Sequence, residues 1–552
     1  MSFKGAISQF LRLPAGRRFE QATWQPQAAQ WHKLQQILKR NAGTEFGREH
    51  GFAAIKSVAD YQRAVPIRSH AQLRPWIDRM IAGEANLLTH QPPIYYCVTS
   101  GSAGAPKPSP ITPDYRDEYQ SVVHAFLYYL YREHTHAFDG KALYFNGSAE
   151  LGRMPSGAPY GTMSGFNSKH LPPLLKKFYA VPYEAMTLAD SAARYYCVAL
   201  LALAQPVSMM IAITASPMIL FARTLIEHAE SLLRHLHDGT LPDELVLTEA
   251  ERSLIRSLHR PQPERARELG KLRERRGGLD PRAIWPLLDL LVCWKSSTAG
   301  SLIPELQSQF PGVPVRDAIY SATEGWCNVP ISDKLIGGPL AVHAHFYEFI
   351  EAGPQAAEAP VRLAHELETG KQYRIIYTTS GGMYRYDIGD VLQVSHYYHN
   401  TPSVYFARKT GQYVNLVGEH LDAAQVTTAL DQAARTLGTV TPFYLMLPDT
   451  ESYPPGYRLC LETEDSGLAR QFAEQLDLAL QAGNAEYRAK RRDRQLAAPW
   501  PWLLPPGSQM HWRRQRVAKG ADEAQLKPPG LVTDISQFEG LEARKLDPDR
   551  EV

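Results

Sequence analysis

The hydrophobic positions of this chain follow two spacings, one typical of helices and one typical of strands. Apolar residues recur every three or four positions in 30–40 and 117–131, and residues 16–90 are largely of this kind, which predicts helices. Short apolar runs predict strands at 94–98, 141–145, 290–294, 315–320, 345–350, 373–377 and 391–394. Because the two patterns alternate, the sequence predicts an α/β fold with mixed sheets flanked by helices.

One uncharged stretch, residues 198–222, is as long and apolar as a membrane-spanning helix. Pro206 and Pro217 interrupt it, and each would remove a helical hydrogen bond. Its ends also lack the aromatic and basic residues that flank membrane spans. We therefore predict a buried helix, a core strand around 207–213 and a second helix after Pro217.

The pattern changes after Tyr405, where a smaller α+β unit is predicted. Its expected helices lie at 422–437 and 467–482, its expected strands lie at 443–447, 457–462 and 510–516, and its proline-rich residues 498–506 predict a loop. The chain is too long for one ordinary core. We expect a large domain at 1–407, a hinge at 408–414 and a small mobile C-terminal domain at 415–552.

Two polar stretches have open interpretations. Residues 147–165 predict a flexible loop, which lies either on the surface or against a binding pocket. Residues 249–276 crowd arginines and glutamates together. Their interleaved signs favour a solvent-exposed helical face over a nucleic-acid patch.

Composition and charge exclude several classes of partner. The chain has 552 residues, with 59 Lys and Arg against 57 Asp and Glu, so its net charge of +2 selects neither nucleic acid nor an anionic membrane. Its five cysteines are widely spaced and include no CxxC pair, so we expect neither a zinc site nor a disulfide framework. This cysteine usage fits a reducing compartment, and the N-terminus opens no signal-peptide core, so we expect a cytoplasmic protein.

A serine- and glycine-rich turn follows the apolar run 94–98. Its small residues let backbone N–H groups approach a phosphate, its hydroxyls add donors, and a lysine adds a compact positive charge. Ala105 and Pro106 separate its last glycine from that lysine, so it is not a Walker loop. A plain loop has the same composition, and both interpretations stay open. The candidate phosphate-binding residues are Thr99, Ser100, Gly101, Ser102, Ala103, Gly104 and Lys107.

Two carboxylates stand near later strand-like runs. Glu324 ends the run Tyr-Ser-Ala-Thr-Glu, and a carboxylate beside phosphates can hold Mg²⁺, which prefers oxygen ligands. Tyr320 in the same run offers an aromatic face that can cover adenine. Asp390, between two strand-like runs, could accept from both ribose hydroxyls, and Asp387 is a rival for that role. Alone, each acid also fits an ordinary turn or surface position.

The order of these pieces is more specific than any one of them. The turn, the Tyr-Ser-Ala-Thr-Glu run, the Tyr-Arg-Tyr-Asp-Ile-Gly-Asp run and the pair Arg408-Lys409 follow in an order that resembles the adenylate-forming superfamily. Three segments are similar to one branch of it, the plant auxin-responsive acyl-acid amido synthetases and their bacterial relatives. These segments are 347–350 (Tyr-Glu-Phe-Ile), 367–394 and 525–529 (Gln-Leu-Lys-Pro-Pro).

The resemblance implies a role for each piece. The serine–glycine turn would bind the phosphates of ATP, Glu324 would bind Mg²⁺, and Lys409 would be the pivot of the small domain. The implied nucleoside contacts are Tyr320, Ser321, Ala322 and Thr323 for adenine, and Asp390 and Arg408 for ribose.

Two further residues are weaker candidates. Lys527 would approach the phosphates in a closed state, and an ordinary surface lysine is its alternative. Tyr160 is a candidate for the acyl pocket. The aromatic residues of the segments expected to line that pocket suggest an aryl or indolic acid, and ordinary core packing explains them equally well.

The implied reaction is the activation of a small carboxylic acid by ATP, which forms acyl-AMP and pyrophosphate. In the resembling family the adenylate then meets the amine of an amino acid. A thiol such as coenzyme A is the alternative acceptor, because the residues 103–107 look more like the loop of the acyl-CoA synthetases. A non-catalytic nucleotide-binding protein is the third hypothesis.

Overall fold

The computed structural model describes residues 3–99, 107–353, 359–410, 413–414, 416–417, 419, 421–449, 454–493, 495–518, 526, 530–532, 538 and 541–546. The chain divides into two compact units. The first unit comprises Met1–Lys295, Leu306–Ile388 and Leu392–Phe406, and the second comprises Ser296–Glu305, Gly389–Val391 and Ala407–Val552.

Helices make up much of both units. In chain order they are α1 (Phe3–Trp24), α2 (Pro26–Asn41), α3 (Glu45–Glu49), α4 (Val58–Ala64), α5 (His70–Ile81), α6 (Pro113–Glu133), α7 (Met163–Lys169), α8 (Pro173–Lys176), α9 (Tyr183–Met186), α10 (Ser191–Leu203), α11 (Ser216–Glu227), α12 (Ala229–Asp238), α13 (Glu249–Leu258), α14 (Pro263–Arg276), α15 (Pro281–Ile284), α16 (Ile303–Gln309), α17 (Ala423–Thr436), α18 (Ser466–Gly483), α19 (Ala485–Arg492) and α20 (Ser508–Ala518). Short 3₁₀ helices lie at Phe52–Ala54, His136–Phe138, Ser297–Leu302 and Ala364–Glu366.

The strands are mostly short. They are β1 (Tyr95–Thr99), β2 (Lys107–Ile111), β3 (Lys141–Tyr144), β4 (Gly152–Arg153), β5 (Pro159–Gly161), β6 (Val207–Ile211), β7 (Leu290–Cys293), β8 (Val315–Asp317), β9 (Ser321–Ala322), β10 (Gly325–Trp326), β11 (Gly338–Pro339), β12 (Phe346–Glu351), β13 (Val361–Leu363), β14 (Gln372–Thr378), β15 (Tyr386–Tyr398), β16 (Thr401–Lys409), β17 (Tyr413–Val414), β18 (Leu421–Asp422), β19 (Tyr444–Asp449), β20 (Gly456–Glu462), β21 (Trp500–Leu504), β22 (Gly530–Leu531) and β23 (Arg544–Lys545).

The strands form several sheets among the helices, which confirms the predicted α/β fold. A parallel sheet has the order β3-β6-β7-β8, and a mixed sheet has the order β2-β1-β5-β4. A six-stranded sheet has the order β11-β16-β15-β14-β12-β13. In the second unit a five-stranded sheet has the order β22-β19-β20-β21-β23, and the residues of α17 and α18 share its hydrophobic core.

The uncharged stretch 198–222 folds as predicted. It contains the end of α10, the buried strand β6 and the first part of α11. Asp190 caps α10 by accepting from the Ala193 N–H at 2.8 Å, and Pro217 occupies the first turn of α11, where its missing N–H costs little. In the part of the chain that the structure describes, no helix is both long enough and apolar enough to span a bilayer.

The predicted strand at 510–516 is wrong, because these residues belong to helix α20. The carboxylate of Glu462 accepts from the N–H groups of Gly507 and Gln509, both at 2.8 Å, at the start of this helix. Trp512 packs into a core cluster with Phe538. The residues that fix the helix therefore come from distant parts of the chain.

The predicted loop at 498–506 is also wrong, because β21 runs through it. This strand pairs with β20 from Arg458 opposite Trp500 to Glu462 opposite Leu504. Its other neighbour, β23, pairs only with Trp502 and Leu503. Pro501 thus lies where one side of the strand has no pairing partner, so its missing N–H is tolerated.

Two smaller predictions are corrected. The stretch 147–165 contains β4, β5 and the start of α7, and Gly161 of β5 packs so closely that an added Cβ would lie 2.7 Å from the Ser148 carbonyl oxygen. Asp390 lies inside β15 and not between two strands. The five cysteines are free and buried.

A buried ion pair fixes the segment that enters β15. The guanidinium of Arg385 donates to both carboxylate oxygens of Glu348 at 2.8 and 2.9 Å, and also to the carbonyls of Gln62 and Val65 at 3.0 and 2.8 Å. Arg385 adopts a left-handed backbone with φ of +48°. The side-chain bonds hold this unfavourable conformation in place.

We expect Arg385→Met to destabilise the first unit by about 3 kcal/mol or more, because Glu348 would keep a buried charge without a partner. The shift is measured as a change in the denaturation midpoint. Arg63→Met is the control, since Arg63 is exposed in its pair with Asp60 and its loss should cost under about 0.5 kcal/mol. Equal shifts in the two variants would contradict this account.

Candidate functional site

A two-strand hairpin in the first unit presents Glu324. Strands β9 and β10 pair Ala322 with Gly325 and Ser321 with Trp326, so Thr323 and Glu324 form the turn between them. A Cβ on Gly325 would lie 2.4 Å from the ring of Tyr377, so only glycine allows this close approach. The predicted Mg²⁺ ligand therefore occupies a tightly packed turn.

Two hydroxyl groups among the described residues hold the carboxylate of Glu324. Thr323 Oγ1 donates to Glu324 Oε2 at 2.6 Å, and the Tyr386 hydroxyl donates to Glu324 Oε1 at 3.1 Å. Glu324 is 6% exposed, and no lysine or arginine among the described residues forms an ion pair with it. Burying a carboxylate without a cation costs free energy. A ligand that brings its own cation would remove this cost.

Other segments hold the same hairpin turn. Ser109 Oγ on β2 lies 3.2 Å from Thr323 Oγ1, and the Tyr115 hydroxyl on α6 donates to the Thr323 carbonyl at 3.0 Å. Strand β2 directly follows the serine–glycine turn. The structure therefore brings the end of that turn and Glu324 into one neighbourhood of the first unit.

Lys107 begins β2, opposite Thr99 of β1. Its side chain is exposed and forms no ion pair with the residues that the structure describes. Ser100, Gly101, Ser102, Ala103 and Gly104 lie outside the described residues, so their predicted contacts with phosphate stay predictions.

The predicted adenine residues lie at the start of the hairpin. The Tyr320 N–H donates to Asn328 Oδ1 at 2.8 Å, and the Tyr320 ring stacks on Phe406 with 5.5 Å between centroids. Ser321 and Ala322 are half-buried. This arrangement fixes the Tyr320 ring against the protein.

In the second unit, Asp390 contacts Lys409, the predicted pivot. Asp390 is 4% exposed. Arg408, predicted beside Asp390, instead pairs with Asp422 at 3.1 Å. In the first unit, Asp387, the rival ribose acceptor, pairs with Arg374 at 3.3 Å.

Of the two remaining candidates, the structure describes Tyr160 and not Lys527. Tyr160 is half-buried on β5, opposite Tyr96 of β1. Lys527 lies outside the described residues. The roles of both stay predictions.

A second network, centred on Glu118, is connected to the end of β2. The buried Glu118 on α6 accepts from Ser380 Oγ at 2.5 Å and lies 3.2 Å from Lys33 Nζ and 3.0 Å from His345 Nδ1. Thr112, which follows β2, donates to the Ser380 carbonyl at 2.9 Å. Burial alone would raise the pKa of Glu118, but Lys33, His345 and Ser380 outweigh it and lower the pKa to about 2.

Another cluster of acids and histidine does not need a metal. Glu133, His134 and Asp333 lie close enough to share an ion. The fully buried guanidinium of Arg316 contacts both Glu133 and Asp333 and supplies the positive charge. This cluster is a network of ion pairs.

Sequence reasoning missed two residues of the site. Tyr386 belongs to a run that the sequence singled out, but nothing in the sequence indicates that its hydroxyl reaches Glu324. His70 begins α5 and lies near Glu324, Lys107 and Pro108. No motif surrounds His70, and only the fold brings it here.

Sequence profiles of one family match most of the chain. The GH3 family N-terminal domain matches residues 15–315, the GH3 family central domain matches 338–409 and the GH3 family C-terminal domain matches 424–536. The chain belongs to the GH3 family. The predicted relationship to the acyl-acid amido synthetases is thereby confirmed.

Curated relatives of this GH3 protein are similar over nearly their whole length. Indole-3-acetic acid-amido synthetase GH3.8 of Oryza sativa subsp. indica is 26% identical over 562 residues, which cover 96% of this chain and 92% of the relative. Indole-3-acetic acid-amido synthetase GH3.2 of Arabidopsis thaliana is 25% identical over 466 residues, which cover 79% and 84%. The predicted class of activity agrees with these names.

Solved structures share the fold. The GH3.15 acyl acid amido synthetase superposes with a TM-score of 0.83 at 22% identity, over 96% of this chain and 95% of that chain. AtGH3.15 acyl acid amido synthetase in complex with 2,4-DB gives the same TM-score and identity over 97% of both chains.

We expect the Glu118 network to make this protein sensitive to acid. Because the folded pKa lies below the ordinary value of 4.5, the stabilisation is complete above about pH 5 and is lost as pH falls towards 2. In Glu118→Gln, the part of the free energy of unfolding that this carboxylate contributes, about 3 kcal/mol, should disappear. Denaturation midpoints measured from pH 7 to pH 3 test this.

The exposed Glu268 offers a control, because Glu268→Gln should keep the wild-type slope with pH. The prediction fails if Glu118→Gln loses stability between pH 5 and pH 3 as steeply as the wild type.

Proposed function

We propose that this GH3 protein is an ATP-dependent acyl-acid amido synthetase. It activates a small carboxylic acid as acyl-AMP and transfers the acyl group to the amine of an amino acid. Membership of the GH3 family and the names of its relatives support this activity. Because those names include indole-3-acetic acid and 2,4-DB, an aryl or indolic acid is the proposed substrate class.

The observation that carries the proposal is the uncompensated charge of Glu324. Other buried acids are compensated in one of two ways. Glu118 faces Lys33, Glu348 faces Arg385 and Asp390 faces Lys409. Asp317 and Glu419 each accept from two backbone N–H groups instead. Among the residues that the structure describes, Glu324 accepts from the hydroxyls of Thr323 and Tyr386 and faces no lysine or arginine in an ion pair. Its oxygen donors and its missing counter-charge fit Mg²⁺, which would neutralise charge on the phosphates of ATP when bound.

The other site residues are assigned by the same proposal. The turn from Thr99 to Lys107 binds the phosphates, with Lys107 as a free cation beside them. The segment 320–323 contacts adenine, and Asp390 and Arg408 contact ribose. Lys409 is the pivot between the two half-reactions, and Lys527 approaches the phosphates in the closed state.

The chemistry of the two steps requires mainly positioning. A carboxylate oxygen of the acid attacks the α-phosphorus of ATP, and pyrophosphate leaves. The amine then attacks the acyl carbon, its proton is released, and AMP leaves. Fixed donors and cations stabilise the charge that develops on the phosphate, and the hairpin turn keeps Glu324 ready for this role.

We expect the purified protein to exchange pyrophosphate into ATP only when a suitable aryl or indolic acid and Mg²⁺ are present. Glu324→Gln keeps the shape of the side chain but loses its charge, so it should lower kcat/KM for exchange by about 100-fold or more. A radiolabelled exchange assay with a panel of acids measures both effects.

Glu268→Gln changes an exposed acid of α14 in the same way and should leave exchange unchanged. Mass spectrometry of reactions with amino acids or coenzyme A then identifies the acceptor. An acyl amide supports the proposal, and an acyl thioester assigns a thiol ligase instead. Absence of exchange with every acid would leave a nucleotide-binding protein without this activity.

A further inference from the structure

His70 is a buried histidine with an unused nitrogen. It is the first residue of α5, and its side chain is 7% exposed. The atom Nε2 is buried and has no hydrogen-bond partner among the residues that the structure describes. A buried polar atom without a partner is unfavourable, so its presence calls for an explanation.

The surroundings of His70 are those of the candidate site. Its ring lies beside the backbone carbonyl of Pro108, and α5 packs against β2. The charged groups that act on the ring are Lys107, Glu324 and Arg74. The ring of Tyr386, whose hydroxyl donates to Glu324, lies 6.5 Å away between centroids.

These neighbours indicate the chemical class of the missing partner. Lys107 and the N-terminus of α5 both favour an anion, and α5 is a helix of 12 residues. Glu324 would meet that anion through Mg²⁺. A phosphate oxygen accepts hydrogen bonds and cannot donate them, so it would pair with an N–H at Nε2.

The protonation of the ring is compatible with this role. Burial lowers the pKa of His70, so the imidazole is neutral near pH 7 before a nucleotide binds. One ring nitrogen faces the Pro108 carbonyl, which accepts the one hydrogen bond that a neutral imidazole can donate. Donation from Nε2 therefore requires the imidazolium, which the negative charge of a nearby phosphate favours.

We propose that His70 Nε2–H donates a hydrogen bond to a phosphate oxygen of ATP. This inference rests on the proposed function, because it adds a contact to the same nucleotide site. The unused nitrogen of His70 thereby gains a partner when the nucleotide is bound.

Three substitutions of His70 distinguish the effect of its hydrogen bond from the effect of its side-chain packing. His70→Phe keeps a ring and loses both nitrogens. His70→Gln places an amide N–H near the position of Nε2, whereas His70→Asn is too short to reach it. Calorimetric titration of each variant with ATP and Mg²⁺ gives the affinity, and pyrophosphate exchange gives KM for ATP and for the acid.

The expected result is a loss of ATP affinity by about 10- to 100-fold in His70→Phe and His70→Asn, as for a hydrogen bond to a charged group. His70→Gln should stay within about threefold of the wild type, because its amide restores the donor. KM for the acid and the thermal midpoint should change little in all three. Rescue by glutamine alone is a result that a purely structural role would not give.

The inference is overturned if His70→Phe binds ATP as tightly as the wild type, or if His70→Gln loses as much affinity as His70→Asn. A wild-type protein that binds ATP but shows no exchange with any acid refutes the proposed function. In that case calorimetry still decides the role of His70. A wild-type protein that binds no ATP refutes both.

Discussion

The site depends on Glu324, a buried carboxylate that pairs with no lysine or arginine in the part of the chain that the structure describes. Glu324 sits in the turn between β9 and β10, and its two oxygens accept from the hydroxyls of Thr323 and Tyr386. Neutral hydroxyls orient a carboxylate but do not cancel its charge, so the protein alone leaves this group poorly compensated. A ligand that brings a hard cation removes that cost, and this constraint links the fold to nucleotide chemistry.

The rest of the first unit keeps this group in place. Arg385 and Glu348 fix the backbone just before Tyr386, so the tyrosine hydroxyl reaches Glu324. Glu118 fixes Ser380, and Thr112 ties that residue to the end of β2. Both supports are buried charges that face an opposite charge. Their stability keeps Glu324 in place at the site.

Much of the fold could be predicted from local patterns. The alternation of helical and strand spacings gave the correct class, and Pro206 and Pro217 divided the stretch 198–222 into the correct elements. The errors at 498–506 and 510–516 have a common cause. Strand pairing with β20 and capping by Glu462 act over long range, and they override the local preferences of prolines and of short alternating runs.

The candidate site shows the same division. Glu324 and Lys107 stood in recognisable runs, so the sequence could single them out. The hydroxyl of Tyr386 and the nitrogen of His70 could not be found, because a helix start and a strand start meet only in the folded chain. The contact of Asp390 with Lys409, and not with Arg408, was equally beyond the sequence, since neighbouring side chains on β16 point in opposite directions.

The most direct test of this account is a crystal structure of the protein grown with ATP and with Mn²⁺ in place of Mg²⁺. Anomalous scattering then locates the metal independently of the nucleotide. The account predicts a manganese peak within bonding distance of a Glu324 carboxylate oxygen and in contact with the phosphates. A bound nucleotide whose metal lies away from Glu324 would contradict it.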